Sequence, residues 1–225
     1  MLYIVATPIG NLEDITLRAL RILREVDFIL CEDTRVTKRL LDKYEIKTPT
    51  ISYHQHSQAP KVEKIITLLK QNKNLALVTD AGTPGISDPG NLLIAAILAL
   101  PENLPVKIIP IPGPSAIIAA LSIAGLPTDE FLFLGFLPHK KGRQTLVKKI
   151  IASEQTIVVY ESCHRIVKFL QELIDNNGAD LKIVVCRELT KMFETIYRGT
   201  PAEILATLQS DKNNLKGEFA VVIGR

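Results

Sequence analysis

The apolar residues alternate along the chain between short β-branched runs and longer segments with helical spacing. In the first half this pattern predicts strands at residues 2–7, 28–32, 50–54, 75–80 and 106–111, with helices at 15–26, 35–44, 60–71 and 89–100. Such alternation predicts parallel βαβ units with helices on both faces of a sheet. Asp88 and Pro89 suit the N-cap and first position of the last of these helices.

A second set of elements follows residue 130. Its strands are predicted at 131–137, 156–161, 182–187, 191–198 and 218–224, and its helices at 142–152, 163–177 and 201–209. The polar, turn-rich segment from Gly125 to Glu130 separates the two sets. The sequence therefore predicts two α/β domains, residues 1–125 and 126–225.

Composition fits an ordinary globular protein, since 47 % of the 225 residues are apolar and 23 % are charged. The net charge of +3 is too small to indicate a polyanionic partner unless it is clustered. Three cysteines without CxxC spacing argue against a disulfide framework and favour a reducing compartment. No basic leader is visible, and the longest apolar run, 92–100, is too short for a bilayer, so we expect a cytoplasmic protein.

Three loops rich in glycine and proline follow strands of the first domain: 7–11, 79–90 and 110–116. In a parallel sheet such loops share the edge where ligands bind, and small residues let a ligand touch the backbone. Any one of these loops could equally be a tight turn. None reads GxGxxG or GxxxxGK[ST], which disfavours a dinucleotide or nucleoside triphosphate.

The charged segment Glu32-Asp33-Thr34-Arg35 follows the second strand. It either places two carboxylates beside a base at that edge or caps the next helix. That helix and the one before it carry cations that indicate a nucleic-acid surface or simply a solvated face: Arg18, Arg21, Arg24, Arg35, Lys38, Arg39 and Lys43. His54 and His56 lack an evident third metal ligand, so a substrate-facing loop is favoured and no metal is expected.

Loops of the second domain carry basic and polar residues at 138–143, 160–165 and 187–191. Cys163 and His164 are adjacent, but no partner that would activate a thiol is visible. Catalysis by Cys163 is therefore disfavoured.

Seven motifs occur in one order between residues 3 and 191, within a resemblance that runs from residue 2 to residue 224: YIVATPIGNLEDITLRAL, CEDTR, DAGTPGISDPG, PGPSA, GFLPHKKGR, YESCHR and RELTK. Together they resemble the tetrapyrrole methylase superfamily, and within it the branch that methylates a cytidine ribose 2′-oxygen in 16S ribosomal RNA. The resemblance implies two α/β domains with S-adenosylmethionine in the cleft between them, a homodimer, and 16S RNA or the small ribosomal subunit as partner. The cofactor contacts that it implies are Pro8, Asp80, Ala81, Gly82, Thr83, Ile86, Ser87, Ser115, Ala116, Leu134, Gly135, Phe136, Leu189 and Thr190.

The acceptor site is less specified by the resemblance. A ribose hydroxyl is a weak acid, so a base helps its methylation; Glu32 and Asp33 are predicted at the acceptor site, with His54 and Glu161 as further candidates. Arg35 or Lys191 could instead lower the pKa of the hydroxyl. The residues predicted to hold RNA are Arg35, Lys38, Arg39, His54, Lys140, Lys141, Arg143, Arg165 and Lys191.

Two positions depart from the pattern of that branch. Cys163 stands where proline is usual, and Thr195 stands where a second glutamate is usual. Two alternative functions stay open: methylation of a corrin or porphyrin precursor, which uses the same fold and cofactor, and non-catalytic RNA binding, which would have no need of the cofactor loop.

Overall fold

Two compact units, Met1–Ser115 and Ala116–Arg225, make up the chain in the computed structural model, which describes residues 1–54, 59–101 and 106–225. The boundary lies earlier in the chain than the sequence predicts. None of the helices within the described ranges has both the length and the apolar character needed to cross a membrane.

The first unit contains a five-stranded parallel sheet in the order β3-β2-β4-β1-β5. Its strands are β1 (Leu2–Val5), β2 (Phe28–Cys31), β3 (Thr50–Ser52), β4 (Leu75–Leu77) and β5 (Ile108–Ile111). The helices that alternate with them are α1 (Leu17–Glu25), α2 (Thr34–Lys43), α3 (Ala59–Lys70) and α4 (Asn91–Leu98). The predicted parallel βαβ units are confirmed.

Both faces of this sheet are covered, which explains why its strands read as nearly continuous apolar runs. Helices α1 and α2 pack on the face that carries Val5, Ile29 and Ala76. Helices α3 and α4 pack on the face that carries Leu2 and Leu30. The prediction of helices on both faces is therefore confirmed.

The second unit contains a mixed sheet in the order β6-β7-β10-β8-β9. β6 pairs with β7 in parallel, and the other pairs are antiparallel. Its elements are α5 (Ala116–Ser122), β6 (Phe131–Phe136), α6 (Arg143–Ile151), β7 (Thr156–Ser162), α7 (Ile166–Asp175), β8 (Lys182–Arg187), β9 (Thr195–Gly199), α8 (Pro201–Ser210) and β10 (Glu218–Gly224). The start of α8 is closed by a capping box, in which Thr200 and Glu203 satisfy each other's backbone N–H groups.

Helix α5, which the sequence pattern did not predict, accounts for the position of the boundary. Ile117, Ala120 and Leu121 pack on one face of the second sheet, against Val184 and Ala220. Helices α6, α7 and α8 cover the opposite face. The segment that follows the PGPSA loop thus belongs to the second core.

Candidate active site

The loops after β1 and β4 lie side by side at a topological switch point of the first sheet. β1 and β4 are paired neighbours, yet the helices that follow them, α1 and α4, pack on opposite faces. In open α/β sheets, ligands bind outside the carboxyl ends of the strands at such a point. β5, which leads into the third loop, pairs with β1 on its other side, so the prediction that the three loops share one edge is confirmed.

Two backbone hydrogen bonds join the first two loops. Thr7 N–H donates to Gly82 O over 2.9 Å, and Gly82 N–H donates to Thr7 O over 3.0 Å. The buried Thr7 hydroxyl also donates to Thr79 O over 3.0 Å. These bonds hold the two loops together at Gly82, where several of the predicted cofactor contacts lie.

The segment between β4 and α4 does not begin a helix where the sequence predicts. Gly90, at φ +146°, is the N-cap residue, and the helix begins at Asn91 rather than at Pro89. A Cβ atom at Gly90 would lie 3.2 Å from Leu77 Cδ2, so the close approach as well as the φ angle favours glycine. Asp88 therefore does not cap the helix, and its carboxylate accepts a hydrogen bond from Thr79 Oγ1 at 3.5 Å.

Three carboxylates crowd this edge of the sheet. Asp80 Oδ1 accepts the backbone N–H of Asp33 over 3.0 Å, which ties the loop after β4 to the loop after β2. Burial raises the pKa of Glu32, and repulsion from Asp80 adds to the shift. Burial, with repulsion from Glu32 and Asp80, raises the pKa of Asp88 to about 6. This edge therefore favours a cation or a proton.

Asp33 is both a helix cap and an ion-pair partner. Its carboxylate caps α2 through the Arg35 N–H at 2.8 Å and binds the Arg35 side chain at 2.6 Å (Oδ2 to Nη2) and 3.0 Å (Oδ1 to Nε). The hydrogen bonds from Arg35 lower the pKa of Asp33 to about 2. A carboxylate of such low pKa is a poor proton acceptor, so Glu32 is the better candidate of the two.

A small cavity of about 40 Å³ opens beside these residues and is lined by Thr7, Pro8, Leu12, Val36, Thr37, Leu40, Thr79 and Asp80. The hydroxyl of Thr37 is buried near the Cys31 thiol and has no other hydrogen-bond partner among the described residues. A cavity of this size holds water or one small polar group. Thr37 was missed by the sequence analysis, where the only signal was a polar residue on the apolar face of α2.

The third loop joins the same group. Thr83 Oγ1 donates to Pro114 O at 3.5 Å, which links the loops after β4 and β5. Ser115 ends the first unit and Ala116 opens α5 in the second. The predicted cofactor contacts are thus distributed over both units.

In the second unit, the predicted contacts Leu134, Gly135 and Phe136 fall on a β-bulge. The register of β6 against β7 shifts between Phe133 and Phe136, where Gly135 takes φ +62°. Leu134 packs toward the core, whereas Phe136 is 56 % exposed and contacts the ring of Tyr160. Bulges often re-aim side chains beside functional sites.

Two arginines predicted to hold RNA lie instead in a buried ionic network. Arg143 is 3 % exposed and pairs with Glu161 (Nη1 to Oε1, 3.0 Å) and Glu172 (Nε to Oε2, 2.7 Å). Arg165 pairs with Glu161 at 3.0 Å and donates to Leu137 O. Burial argues against an RNA-facing position for Arg143, whose guanidinium group the core takes up. Arg165 keeps 15 % of its side chain exposed and stays a predicted RNA contact. Glu161, a candidate base, is enclosed by the same network.

Lys191 is also engaged within the second unit. Its ammonium lies 2.9 Å from Glu188 Oε1 and 2.8 Å from Glu218 Oε2. Leu189 and Thr190, predicted cofactor contacts, belong to the same loop after β8. Lys191 stays a predicted RNA contact, although two carboxylates already neutralise its charge.

Other predicted RNA contacts are open to solvent. Lys38 and Arg39 are exposed on α2, and Lys140 and Lys141 are exposed in the turn after β6. Within the described ranges, none of these four side chains forms an ion pair. They are available for phosphate contacts.

The structure describes one of the two histidines of the sequence motif and Cys163. His54 is partly buried, and its charge lowers the pKa of Glu32, so it lies near the carboxylates. Gln55 and His56 fall outside the described residues. Among the residues that are described, no three His, Cys, Asp or Glu side chains are grouped to hold a metal ion. Cys163, which follows the last residue of β7, is partly buried against the core, and Thr195 begins β9.

Comparison with known proteins shows that the chain is similar to one family along most of its length. The model of the family described as Tetrapyrrole (Corrin/Porphyrin) Methylases matches residues 1–205. Curated relatives named Ribosomal RNA small subunit methyltransferase I include those of Escherichia coli O157:H7 (44 % identical, covering 99 % of this chain and 77 % of that protein) and Hydrogenobaculum sp. (45 %, covering 100 % and 95 %).

Solved structures of the same fold are more distant in sequence. Cobalt precorrin-4 methyltransferase aligns over 99 % of this chain and 94 % of its own with a TM-score of 0.68 and 19 % identity. Diphthine synthase aligns over 99 % and 89 % with a TM-score of 0.72 and 17 % identity. These likenesses concern the fold alone, but the family match spans nearly the whole molecule. The chain belongs to the tetrapyrrole methylase family.

Proposed function

We propose that this protein transfers a methyl group from S-adenosylmethionine to the 2′-oxygen of a cytidine ribose in the 16S RNA of the small ribosomal subunit. The observation that carries the proposal is identity of 44–46 % over 99–100 % of the chain to curated relatives named Ribosomal RNA small subunit methyltransferase I. The choice of the ribose oxygen, and of cytidine, rests on the motif resemblance.

The edge of the first sheet suits this cofactor in charge and in shape. When bound, S-adenosylmethionine supplies a methyl group on a sulfonium, which is already electrophilic. Glu32, Asp80 and Asp88 repel one another, and a cation placed near them would relieve that repulsion. Gly82 and Gly85, both at positive φ, leave the backbone of the loop open to close contact.

Glu32 is the proposed proton acceptor for the ribose hydroxyl. Its raised pKa makes it a better match to a neutral operating pH than Asp33. Arg35, with 87 % of its side chain exposed, keeps a solvent-facing surface although Asp33 binds it. It is the proposed contact to the phosphate next to the acceptor nucleotide.

Positive charge for the RNA backbone would come from Lys38 and Arg39 on α2 and from Lys140 and Lys141 after β6. Such contacts give affinity and salt dependence, and they leave sequence choice to other groups. A homodimer in the cytoplasm is part of the proposal through the resemblance, and light scattering of the purified protein tests the dimer.

A transfer assay tests the proposed function. Protein is incubated with methyl-labelled S-adenosylmethionine and either unmodified small subunits or bare 16S RNA, and the RNA is then digested in alkali. Label in an alkali-resistant dinucleotide is expected, because a 2′-O-methyl group protects the adjacent phosphodiester. Label that alkali releases on mononucleotides would place the methyl group on a base. No labelled RNA despite cofactor binding would favour the alternative, a corrin or porphyrin precursor.

A further inference from the structure

The loop after β8 adopts a conformation that ordinary side chains disfavour. Glu188 has φ +52° and Thr190 has φ +65°, and Leu189 lies between them. Two left-handed residues other than glycine within three positions are uncommon, and they persist where the surroundings hold them. The contacts around this loop therefore determine where Leu189 and Thr190 lie.

Lys191 is central to those contacts. Its ammonium bridges Glu188 Oε1 at 2.9 Å and Glu218 Oε2 at 2.8 Å, and its backbone N–H donates to Glu188 O at 3.0 Å. Glu188 and Glu218 are also joined by two hydrogen bonds of 2.9 Å, from Glu188 N–H to Glu218 O and from Glu218 N–H to Glu188 Oε1. The ammonium thus links the loop to the start of β10, and we call the contacts among these three residues the tie.

Neighbouring residues support the contacts among Glu188, Lys191 and Glu218. A Cβ atom at Gly217, which has φ +101°, would lie 2.4 Å from Glu188 Cγ, so glycine leaves room for that side chain. Arg187 donates to Lys216 O at 2.6 Å and to Phe193 O at 3.2 Å, which fixes the segments on either side. Leu189 packs on the buried cluster around Val184 and Cys186. The backbone of the loop is held at several independent points.

The charge of this group does not suit a phosphate contact. One ammonium faces two carboxylates, so the three side chains together carry a net negative charge. Lys191 has 29 % of its side chain exposed, and its ammonium already donates one hydrogen bond to each of two carboxylates at short range. An approaching phosphate would have to compete with both.

We propose that Lys191 is a positioning residue for the cofactor, which holds Leu189 and Thr190 in the left-handed loop that receives S-adenosylmethionine. The proposal rests on the proposed function, through the cofactor contacts assigned to that loop. Without the ammonium, Glu188 and Glu218 repel each other and the loop populates other conformations. If the competent population fell to about a tenth, the apparent cofactor Kd would rise about tenfold.

The test compares Lys191→Met with Lys140→Met, which removes the same charge from an exposed loop. Calorimetry gives the Kd for S-adenosylmethionine, and filter binding over a salt series gives RNA affinity. Lys191→Met should raise the cofactor Kd and KM about tenfold with kcat kept within about twofold, and it should leave the RNA salt slope unchanged. Lys191→Arg, which keeps the positive charge between the two carboxylates, should restore most of the cofactor affinity.

Two results would overturn the proposal. One is an unchanged cofactor Kd in Lys191→Met. The other is a loss of RNA affinity and salt dependence that matches Lys140→Met. If Lys191→Met does not fold, Glu188→Gln weakens the same tie with little change in shape and takes its place. Wild-type protein that does not bind S-adenosylmethionine would contradict the proposed function itself, which separates the two failures.

Discussion

At the scale of single residues, Asp88 shows how the site is built at the expense of stability. Its pKa of about 6 exceeds the ordinary aspartate value of 3.8, so the folded protein binds more protons than the unfolded chain between these pH values. By linkage, stability falls as pH rises through that window, and above it the charged Asp88 destabilises the fold. The favourable state of this carboxyl in the free protein is the protonated one.

Asp88→Asn should therefore stabilise the cofactor-free protein near pH 7.5, by roughly 1–2 kcal/mol once local relaxation is allowed for. Little or no gain is expected at pH 4, where the carboxyl is mostly protonated in the folded state. Urea unfolding at the two pH values measures the difference, with Asp129→Asn in an exposed turn as the control. An equal gain at both pH values would show that charge burial is not the cause.

At the scale of secondary-structure elements, the ionic network around Arg143 connects α6, β7 and α7. Arg143→Met would leave Glu161 with one cationic partner among the described residues, Arg165, and Glu172 with the solvent-exposed Lys168. Removing one partner of a buried pair leaves an uncompensated charge, so a loss of about 3–5 kcal/mol is expected. Chemical denaturation measures it against Lys148→Met, on the exposed side of α6. A loss below about 1 kcal/mol, typical of an exposed pair, would contradict this assignment.

The exposed turn after β6 supplies the contrasting case, because Lys140 and Lys141 are exposed to solvent. Lys140→Ala with Lys141→Ala should weaken RNA binding and reduce the slope of log affinity against log salt by up to about 1.4, because each single-strand phosphate contact contributes about 0.7. Filter binding measures both quantities. Lys64→Ala with Lys70→Ala on α3 removes the same charge as a control, and an effect of equal size there would indicate a non-specific charge effect.

The same elements show what a sequence pattern does and does not contain. Parallel pairing in the first unit followed from strand–helix alternation, and the loops at its edge followed from that pairing. Strand direction in the second sheet and helix α5 did not follow. The α5 sequence AIIAALS is apolar on every side, so it has no helical period, and the sheet that it covers is distant in the chain.

Side-chain surroundings were the least predictable part of the site. Arg143 and Lys191 belong to basic motifs that are typical of a nucleic-acid surface, yet their acidic partners come from other elements far along the chain. Asp88-Pro89 is a sound helix start by composition, but Gly90 approaches Leu77 and moves the N-cap two residues on. Short-range pattern predicts backbone conformation, whereas these outcomes depend on tertiary contacts.

At the scale of the whole molecule, the predicted cofactor contacts divide between two units, each with its own sheet and cores. The first unit contributes Pro8, residues 80–87 and Ser115. The second contributes Ala116, residues 134–136 and residues 189–190. If both sets hold S-adenosylmethionine, binding should reduce local unfolding in both units. A ligand that binds only the folded form of a segment stabilises that segment against opening.

Hydrogen exchange of the full chain with and without S-adenosylmethionine tests this division. Amides in residues 80–87 and in 188–191 should both gain protection, and Lys191→Met should reduce the gain in the second segment more than in the first. Segments remote from the predicted contacts, such as the C-terminal turn of α7, serve as internal controls. Protection confined to residues 80–87 and 115 would mean that the first unit binds the cofactor alone, and it would contradict both the two-unit assignment and the positioning role of Lys191.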